Sequence, residues 1–343
     1  MKSKRLLIVG ILLVLSFASR AFADENVQWE LKAYVASDIT FYQDMLLFGD
    51  ALGEFYAVNK ASGSIIWTYK DDGPIMKTAA VSDDKVLYVT STGNITCLNL
   101  NDGSLIWKYK SDENLGEVIN DGVTLGNGLA FVAKDDAKLY ALDINTGQTV
   151  WTFQGDSQGL RTAPAYSEGL VFLGENNGRF HIIDANTGDR INGGGSGGSV
   201  NTPIVKDGNV YFSSWDGSVN AVQIKSVIPL WHVNIKDTIM TSPVIAEGII
   251  ALGTSRGCVT TLNENDGSLM WSFNCENGSI TAKPVIADGK IYATPEGGKV
   301  YEIEASSGKL LNTIETNGMT LNLAYSDGVL YICHGDSLTA LTR

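Results

Sequence analysis

The sequence predicts an all-β chain: an eight-bladed β-propeller of four-stranded antiparallel blades, with the ring closed by the N-terminal strand. Three observations carry this. A pattern returns about every forty residues, plainest in Pro203-Ile-Val-Lys-Asp-Gly, Pro243-Val-Ile-Ala-Glu-Gly and Pro284-Val-Ile-Ala-Asp-Gly. Turn glycines at Gly63, Gly103, Gly147, Gly188, Gly267 and Gly308 keep the same period, and where a Trp follows it stands four residues on, at Trp67, Trp107, Trp151 and Trp271. Between these marks apolar residues alternate over short runs punctuated by Gly, Asp and Asn, which is the signal of half-buried antiparallel strands, and no amphipathic helix follows the N-terminus. A repeat of this length cannot bury its faces alone, and four short strands per copy make a propeller blade.

The elements follow in order. Lys2, Lys4 and Arg5, an apolar run from Leu6 to Phe17 and Ala21-Phe22-Ala23 read as a secretory signal peptide over 1–23. The single propeller domain then covers 24–343. Val27-Gln-Trp-Glu-Leu-Lys32 resembles Ile66-Trp-Thr-Tyr-Lys70 and is an orphan fourth strand with its own Trp. Eight units begin near Ile39, Thr78, Val123, Thr162, Thr202, Thr241, Lys283 and Asn322. Blade five shows all four strands: Thr202–Val205 as strand A, Val210–Ser214 as B, Val219–Ile224 as C and the segment around Trp231 as D. The eighth unit stops at Arg343 before a fourth strand, so the orphan strand is expected to complete it, which removes an exposed sheet edge. The repeat Trp residues are expected to wedge between blades. Asn192 and Asn312 stand in their place in blades four and seven, where packing should differ.

Composition excludes several functions. The net charge is −13, and loss of the four basic residues of the leader takes it to −17. That argues against nucleic acid, whose phosphates need basic patches. Four cysteines are few for a disulfide scaffold; Cys258 and Cys275 fall close enough for a bridge to stay open, and Cys97 and Cys333 read as buried apolar residues. His181, His232 and His334 lie in three blades and make no metal-ligand or triad spacing. Gly193-Gly-Gly-Ser-Gly-Gly198 matches a dinucleotide fingerprint but lacks the following helix, and reads as a flexible loop. No catalytic residue, cofactor-binding residue or metal ligand is singled out, and no cofactor is expected.

In a propeller the D–A and B–C connections share one face, and the D–A loops are the variable ones here, which is where function is grafted on a regular scaffold. Lys77 and Arg161 take matching places just before strand A near the central mouth. They are candidate contacts for a carboxylate or anion, or they neutralise acidic surroundings. Trp215 is the one Trp off the repeat position, in a B–C turn, and is a candidate surface platform.

The Asp-Gly-x-Val-Tyr, Ala141-Leu-Asp-Ile-Asn-Thr-Gly147 and Trp151 elements resemble the PQQ-like propeller repeat over essentially the whole mature chain. Within it, length, blade count and export are similar to the BamB-type periplasmic propellers of outer-membrane protein assembly, which are eight-bladed and non-catalytic. Gly159-Leu-Arg-Thr-Ala-Pro164, followed by Gly174-Glu-Asn-Asn-Gly-Arg179, is similar to the family stretch whose Leu-Arg loop contacts the assembly barrel's periplasmic domains. The resemblance therefore implies partner contacts at Leu160 and Arg161. Two departures stand out: the lipid-bearing N-terminal Cys is missing, and Gly198, Ser199 and Val200 replace the acidic residues of the next loop. The reading is an exported, soluble, monomeric and non-catalytic propeller that binds envelope proteins through its D–A/B–C face, by way of Leu160, Arg161, Lys77 and Trp215. The alternatives are a quinone-dependent oxidoreductase, whose alcohol dehydrogenases carry an adjacent-Cys disulfide absent here, and a carbohydrate- or cell-wall-binding propeller.

Overall fold

The computed structural model describes residues 26–343 apart from 111–121, 135, 157–158, 161, 196, 277 and 317. The leader over 1–23 lies outside the described residues, and no helix among those described is long and apolar enough to cross a membrane. All regular structure described is strand, gathered into eight four-stranded antiparallel sheets. Seven blades run A-B-C-D in chain order. The eighth is ordered Val27–Lys32, Ser337–Thr342, Val329–His334, Thr320–Ser326, so the N-terminal strand supplies its outer edge. Blade five has strands Ile204–Lys206, Asn209–Ser213, Ser218–Gln223 and Ile228–Asn234, within two or three residues of expectation where bounds were given. Strands A of neighbouring blades touch one another and line the centre.

The burial pattern explains the sequence pattern. Strands B are pressed between blades on both faces, so Leu129–Ala133 and Ile249–Gly253 are buried throughout and read as continuous apolar runs. Strands D alternate, because only one face meets a neighbour. The A–B turns place a residue at positive φ in every blade, from Gln43 to Asp327, and in six blades a Gly follows it, the chemistry of tight hairpins. Residues 193–195 are not loop. They end strand Arg190–Gly195 and pair with Arg179–His181, because glycine backbone serves a ladder as well as any other.

Six seams share one device. The indole of Trp29, Trp67, Trp107, Trp151, Trp231 or Trp271 lies over the C–D turn glycine of the next blade, at Gly63, Gly103, Gly147, Gly188, Gly267 and Gly308. Each of these glycines has φ between 69° and 79°, and a Cβ there would come within 2.5–2.7 Å of the ring. Each indole Nε1 also donates to a carbonyl of that next blade, for example Trp67 to Leu100 at 3.0 Å and Trp271 to Ala305 at 2.9 Å. Glycine and Trp therefore belong to one contact across two repeats. Where the Trp is lost, the glycine goes with it: Asn192 of blade four faces a blade-five turn that carries Val227 at φ 54°. That seam is filled instead by a ladder of Phe172, Phe180 and Phe212, the last two stacked at 4.5 Å. Asn312 of blade seven faces blade eight, whose C strand is followed by the chain end, and stacked Tyr292 and Tyr325 take over there.

Closure rests on two layers. At the rim, Trp29 pairs with Ala340 and Leu31 with Leu338, while Gln28 Nε2 donates to Thr342 Oγ1 at 2.9 Å. At the channel mouth, Asp38 at the start of blade one accepts from Lys283 Nζ and Thr78 Oγ1, both at 2.9 Å, and from Asn322 Nδ2. One carboxylate thus ties blades seven, eight, one and two. Burial works to raise its pKa, but the Lys283 charge and the three hydrogen bonds outweigh this and hold it at about 2.

All four cysteines are free thiols. Asn274, not Cys275, stands opposite Cys258 in the ladder. Burial pushes Cys97 and Cys275 up to about 12, the mark of inert structural thiols.

Three outcomes follow from these contacts. Deleting residues 24–34 should lower the melting temperature sharply and promote association, since it bares Leu338 and Ala340 on a new edge; an unchanged melting curve and a monodisperse product would contradict closure by this strand. Gly103→Ala should cost about 2 kcal/mol from positive φ and from collision with Trp67, whereas Val227→Gly should stabilise by up to about 1 kcal/mol; chemical denaturation of both variants measures this. Asp38 is depressed in the folded state, so its contribution is complete above about pH 4 and is lost as pH falls toward about 2. Asp38→Asn should therefore flatten stability against pH across that window by up to about one proton, as read from melting temperatures.

Candidate functional site

The D–A loops and B–C turns meet on one face and are latched together by backbone bonds. Ala51 N donates to Tyr34 O, Ser91 N to Pro74 O, Trp215 N to Ser199 O at 3.0 Å and Ser255 N to Thr238 O. Other bonds tie D–A loops to the preceding blade, Ile75 N to Asp50 O, Leu160 N to Lys134 O, Val200 N to Glu175 O and Ile280 N to Thr254 O, so the loops at Pro74–Ile75 and Ser199–Val200 are held on both sides. A loop fixed to both blades it joins makes a preorganised surface.

Trp215 stands on this face, 53% exposed, while the other six indoles are buried or half-buried. It divides two clefts. The larger, about 860 Å³, runs over blades four to six and reaches Lys283; the smaller, about 470 Å³, lies toward Asn234, Asp237 and Arg256. The indole is held by its Nε1, which donates to Asn201 Oδ1 at 3.2 Å. Asn201 is 9% exposed, and its amide nitrogen is shared among Ser213 Oγ, Thr241 O and Ile239 O. Beside it, Asp216 accepts from Ser218 N, Gly197 N and Ser214 Oγ. Burial works against this carboxylate's charge, yet these bonds keep its pKa below the ordinary value.

Lys77 is half-buried and lines a pocket of about 190 Å³ at the channel mouth, with Asp38, Thr78 and Lys283. Lys283 also borders the large cleft, so the surroundings of Lys77 and Trp215 are continuous. Leu160, where the resemblance implies a partner contact, does not expose its side chain. It is fully buried in the seam between blades three and four, in a cluster with Leu139, Leu173 and Ile183. Its loop folds inward because the seam offers an apolar socket that a leucine fills. Arg161 lies outside the described residues. Its neighbour Thr162 lines the large cleft, with Oγ1 bonded to Gly174 O at 3.1 Å.

The histidine reading is also corrected at one place. His181 is fully buried and its Nε2 lies 2.8 Å from Glu175 Oε1; the carboxylate also accepts from Asp156 N at 2.8 Å. Asp156, Glu175 and His181 offer ligand-type atoms within 4.8 Å of one another, which residue spacing did not reveal because the D–A loop, not the strand, delivers Asp156. Asp156 is already engaged by Arg179 at 2.5 Å and Arg190 at 3.2 Å, whose guanidiniums hold its pKa down. The group anchors the base of the loop that carries Leu160. The seam between blades one and two has an analogous fastener: Asp71 is bonded to Lys108 at 2.6 Å, Thr96 at 2.7 Å and Tyr88 at 2.9 Å. Burial works to raise the Asp71 pKa, and the bonds from Lys108, Thr96 and Tyr88 bring it below the ordinary value. Sequence reasoning missed Asn201, Asp38 and Lys283; a buried amide and a carboxylate 245 residues from its lysine leave no local signal.

Comparisons with known proteins agree with this architecture. The BamB of Salmonella typhimurium (strain LT2) is 29% identical over 287 residues, 79% of this chain and 72% of that protein. The BamB of Escherichia coli (strain K12) is 31% identical over 107 residues, which span 31% of this chain and only 27% of that relative. A quinoprotein alcohol dehydrogenase, PedH of Pseudomonas putida, is 26% identical over 145 residues, 37% of this chain and 24% of the enzyme. Among solved structures, BamB from Moraxella catarrhalis superposes with a TM-score of 0.77 at 19% identity, covering 92% of this chain and 99% of that one. The computationally designed Ika8 protein does so at 0.79 with 14% identity, covering 92% and 98%. Identities this low speak for fold alone, as the likeness to a designed protein makes plain. A family model described as outer membrane protein assembly factor BamB matches residues 53–257 and 215–342, nearly the whole ring, and the chain belongs to that family.

Proposed function

We propose that this chain is a non-catalytic scaffold of outer-membrane protein assembly, exported to the periplasm, whose D–A/B–C face docks a protein partner. The observation that carries the reading is the family match across the propeller, joined to a loop face latched on both sides and borne by a rigid ring. The chemistry of the face supports it. Four acids there are used as fasteners: Asp38 with Lys283, Asp71 with Lys108, Asp156 with two arginines, and Glu175 with His181. A general acid or base needs a group free to exchange a proton with substrate, and these groups are committed to holding blades and loops. The match to a quinoprotein dehydrogenase covers a quarter of that enzyme and is accounted for by the shared repeat.

The docking region is proposed to be the surface above the Leu160 socket, extending through Arg161 and Thr162 toward Lys77 and the channel mouth. In this reading Leu160 is the plug that sets the loop, and Arg161 is the contact that makes forked bonds to a partner carboxylate. The test uses the periplasmic domains of the outer-membrane assembly barrel from the same organism. Arg161→Glu should weaken their binding by about 2 kcal/mol or more while the melting temperature stays within a degree or so. Leu160→Ala should lower the melting temperature first, because it empties a buried site. Absence of measurable binding by the wild-type chain, or stoichiometric uptake of pyrroloquinoline quinone and Ca²⁺ with dye-linked oxidation of an alcohol, would overturn the proposal.

A further inference from the structure

The large cleft beside Trp215 has a composition that a protein-docking surface does not need. Protein interfaces gain from an apolar core surrounded by a polar rim. Here one exposed aromatic face stands at the edge, Val200 and Met240 add apolar wall, and most other lining side chains are neutral hydroxyls and amides, among them Asn176, Ser199, Ser242 and Thr281. Lys283 closes the channel end and Asp216 lies next to the indole. The volume of about 860 Å³ is within the range of small-ligand sites.

The platform is built rather than incidental. A surface Trp with a free Nε1 would present its polar edge as readily as its face. Trp215 has that edge tied to Asn201, and Asn201 is itself buried and anchored to the backbone of two further residues and to Ser213. The ring is left with its π face to offer. The backbone beneath is fixed as well: Trp215 N is bonded to Ser199 O, and Gly197 N to Asp216 Oδ2. Gly198 is required for this approach, since a Cβ there would come within 2.8 Å of the Asp216 backbone N. Gly197 and Gly198 thus lie against the B–C turn and leave the indole uncovered.

An aromatic face flanked by neutral donors and acceptors matches one ligand chemistry well. We propose that this cleft binds a neutral glycan, with a pyranose ring laid by its C–H face on Trp215 and its hydroxyls bonded to the Ser, Thr and Asn side chains of the walls. β-1,4-linked, gluco-configured rings fit best, because their equatorial substituents leave both faces flat. Asn201 is a positioning residue in this scheme, acting through the indole and not on the sugar. The cleft borders the proposed docking region at Thr162 and Lys283, but its platform Trp215 is not part of the Leu160–Arg161 loop, so sugar titrated in the absence of a protein partner tests the glycan reading separately from the assembly-scaffold reading.

The test is titration of the full chain, without any protein partner, with cellotriose and with tri-N-acetylchitotriose, followed by tryptophan emission and calorimetry. Binding with a dissociation constant of about 1 mM or tighter is expected for at least one of them. The emission change should come from the single exposed indole and should vanish in Trp215→Ala. That variant should bind at least about tenfold more weakly, while Trp215→Phe retains part of the affinity. Ser242→Ala with Thr281→Ala should weaken binding without altering the melting temperature, which covers the case in which a Trp215 variant folds poorly. No saturable binding of either sugar up to about 10 mM, or wild-type affinity in Trp215→Ala, overturns the proposal. Loss of the protein partner, and not of sugar, in Trp215→Ala would assign the cleft to the docking face and overturn it equally.

Discussion

Six times around the ring an indole lies flat on a glycine of the following blade and gives its N–H to a carbonyl of that same turn region. The contact joins apolar burial, a hydrogen bond and a backbone conformation that disfavours side chains. It also sets the distance between blades, because a Cβ on the glycine would push the ring away. Stability in such a structure is close to a sum of repeat and neighbour terms, and these six contacts are the neighbour terms. The two exceptions support the account: the Trp-to-Asn changes at Asn192 and Asn312 fall where the next blade offers no turn glycine, and stacked Phe or Tyr pairs occupy the seam.

With the blades fixed from the C–D side, the opposite face is released from that duty. Its loops differ in length and composition, yet those around Pro74–Ile75 and Ser199–Val200 are bonded to the turns on both flanks. The buried acids on this face follow the same logic. A buried carboxylate is tolerated only when paired, and Asp71, Glu175 and the half-buried Asp38 each find partners that cross a seam or a loop base. The outcome is a face whose loops and turns are held in a set geometry by these groups. Leu160 belongs to this framework. A resemblance in its loop marked the residue as a contact, whereas its side chain fills a socket between Leu139, Leu173 and Ile183.

Much of the fold was legible in the residues. The forty-residue period, the turn glycines and the Trp spacing gave the blade count, and the lone strand around Trp29 gave the closure, because these features repeat and repetition exposes them to inspection. The same repetition made Trp215 conspicuous as the Trp that breaks step. The site was less legible. Cys258 and Cys275 fell near enough to leave a bridge open until the register put Asn274 opposite Cys258. His181 looked isolated until a loop brought Asp156 and Glu175 to it.

The sequence alone therefore determined what depends on local periodicity: the all-β class, the eight-fold repetition, the tight turns and the strand that closes the circle. Alternation and turn chemistry act over a few residues and are written in order along the chain. Only the tertiary structure decided what depends on closure of the ring. Asp38 meets Lys283 across 245 residues because the last blades come to lie beside the first. Asn201 locks Trp215 because the leading loop of blade five passes beneath its own B–C turn. Which side chains face solvent and which fill a seam follows from the packing of one blade on the next, and no single repeat carries that information.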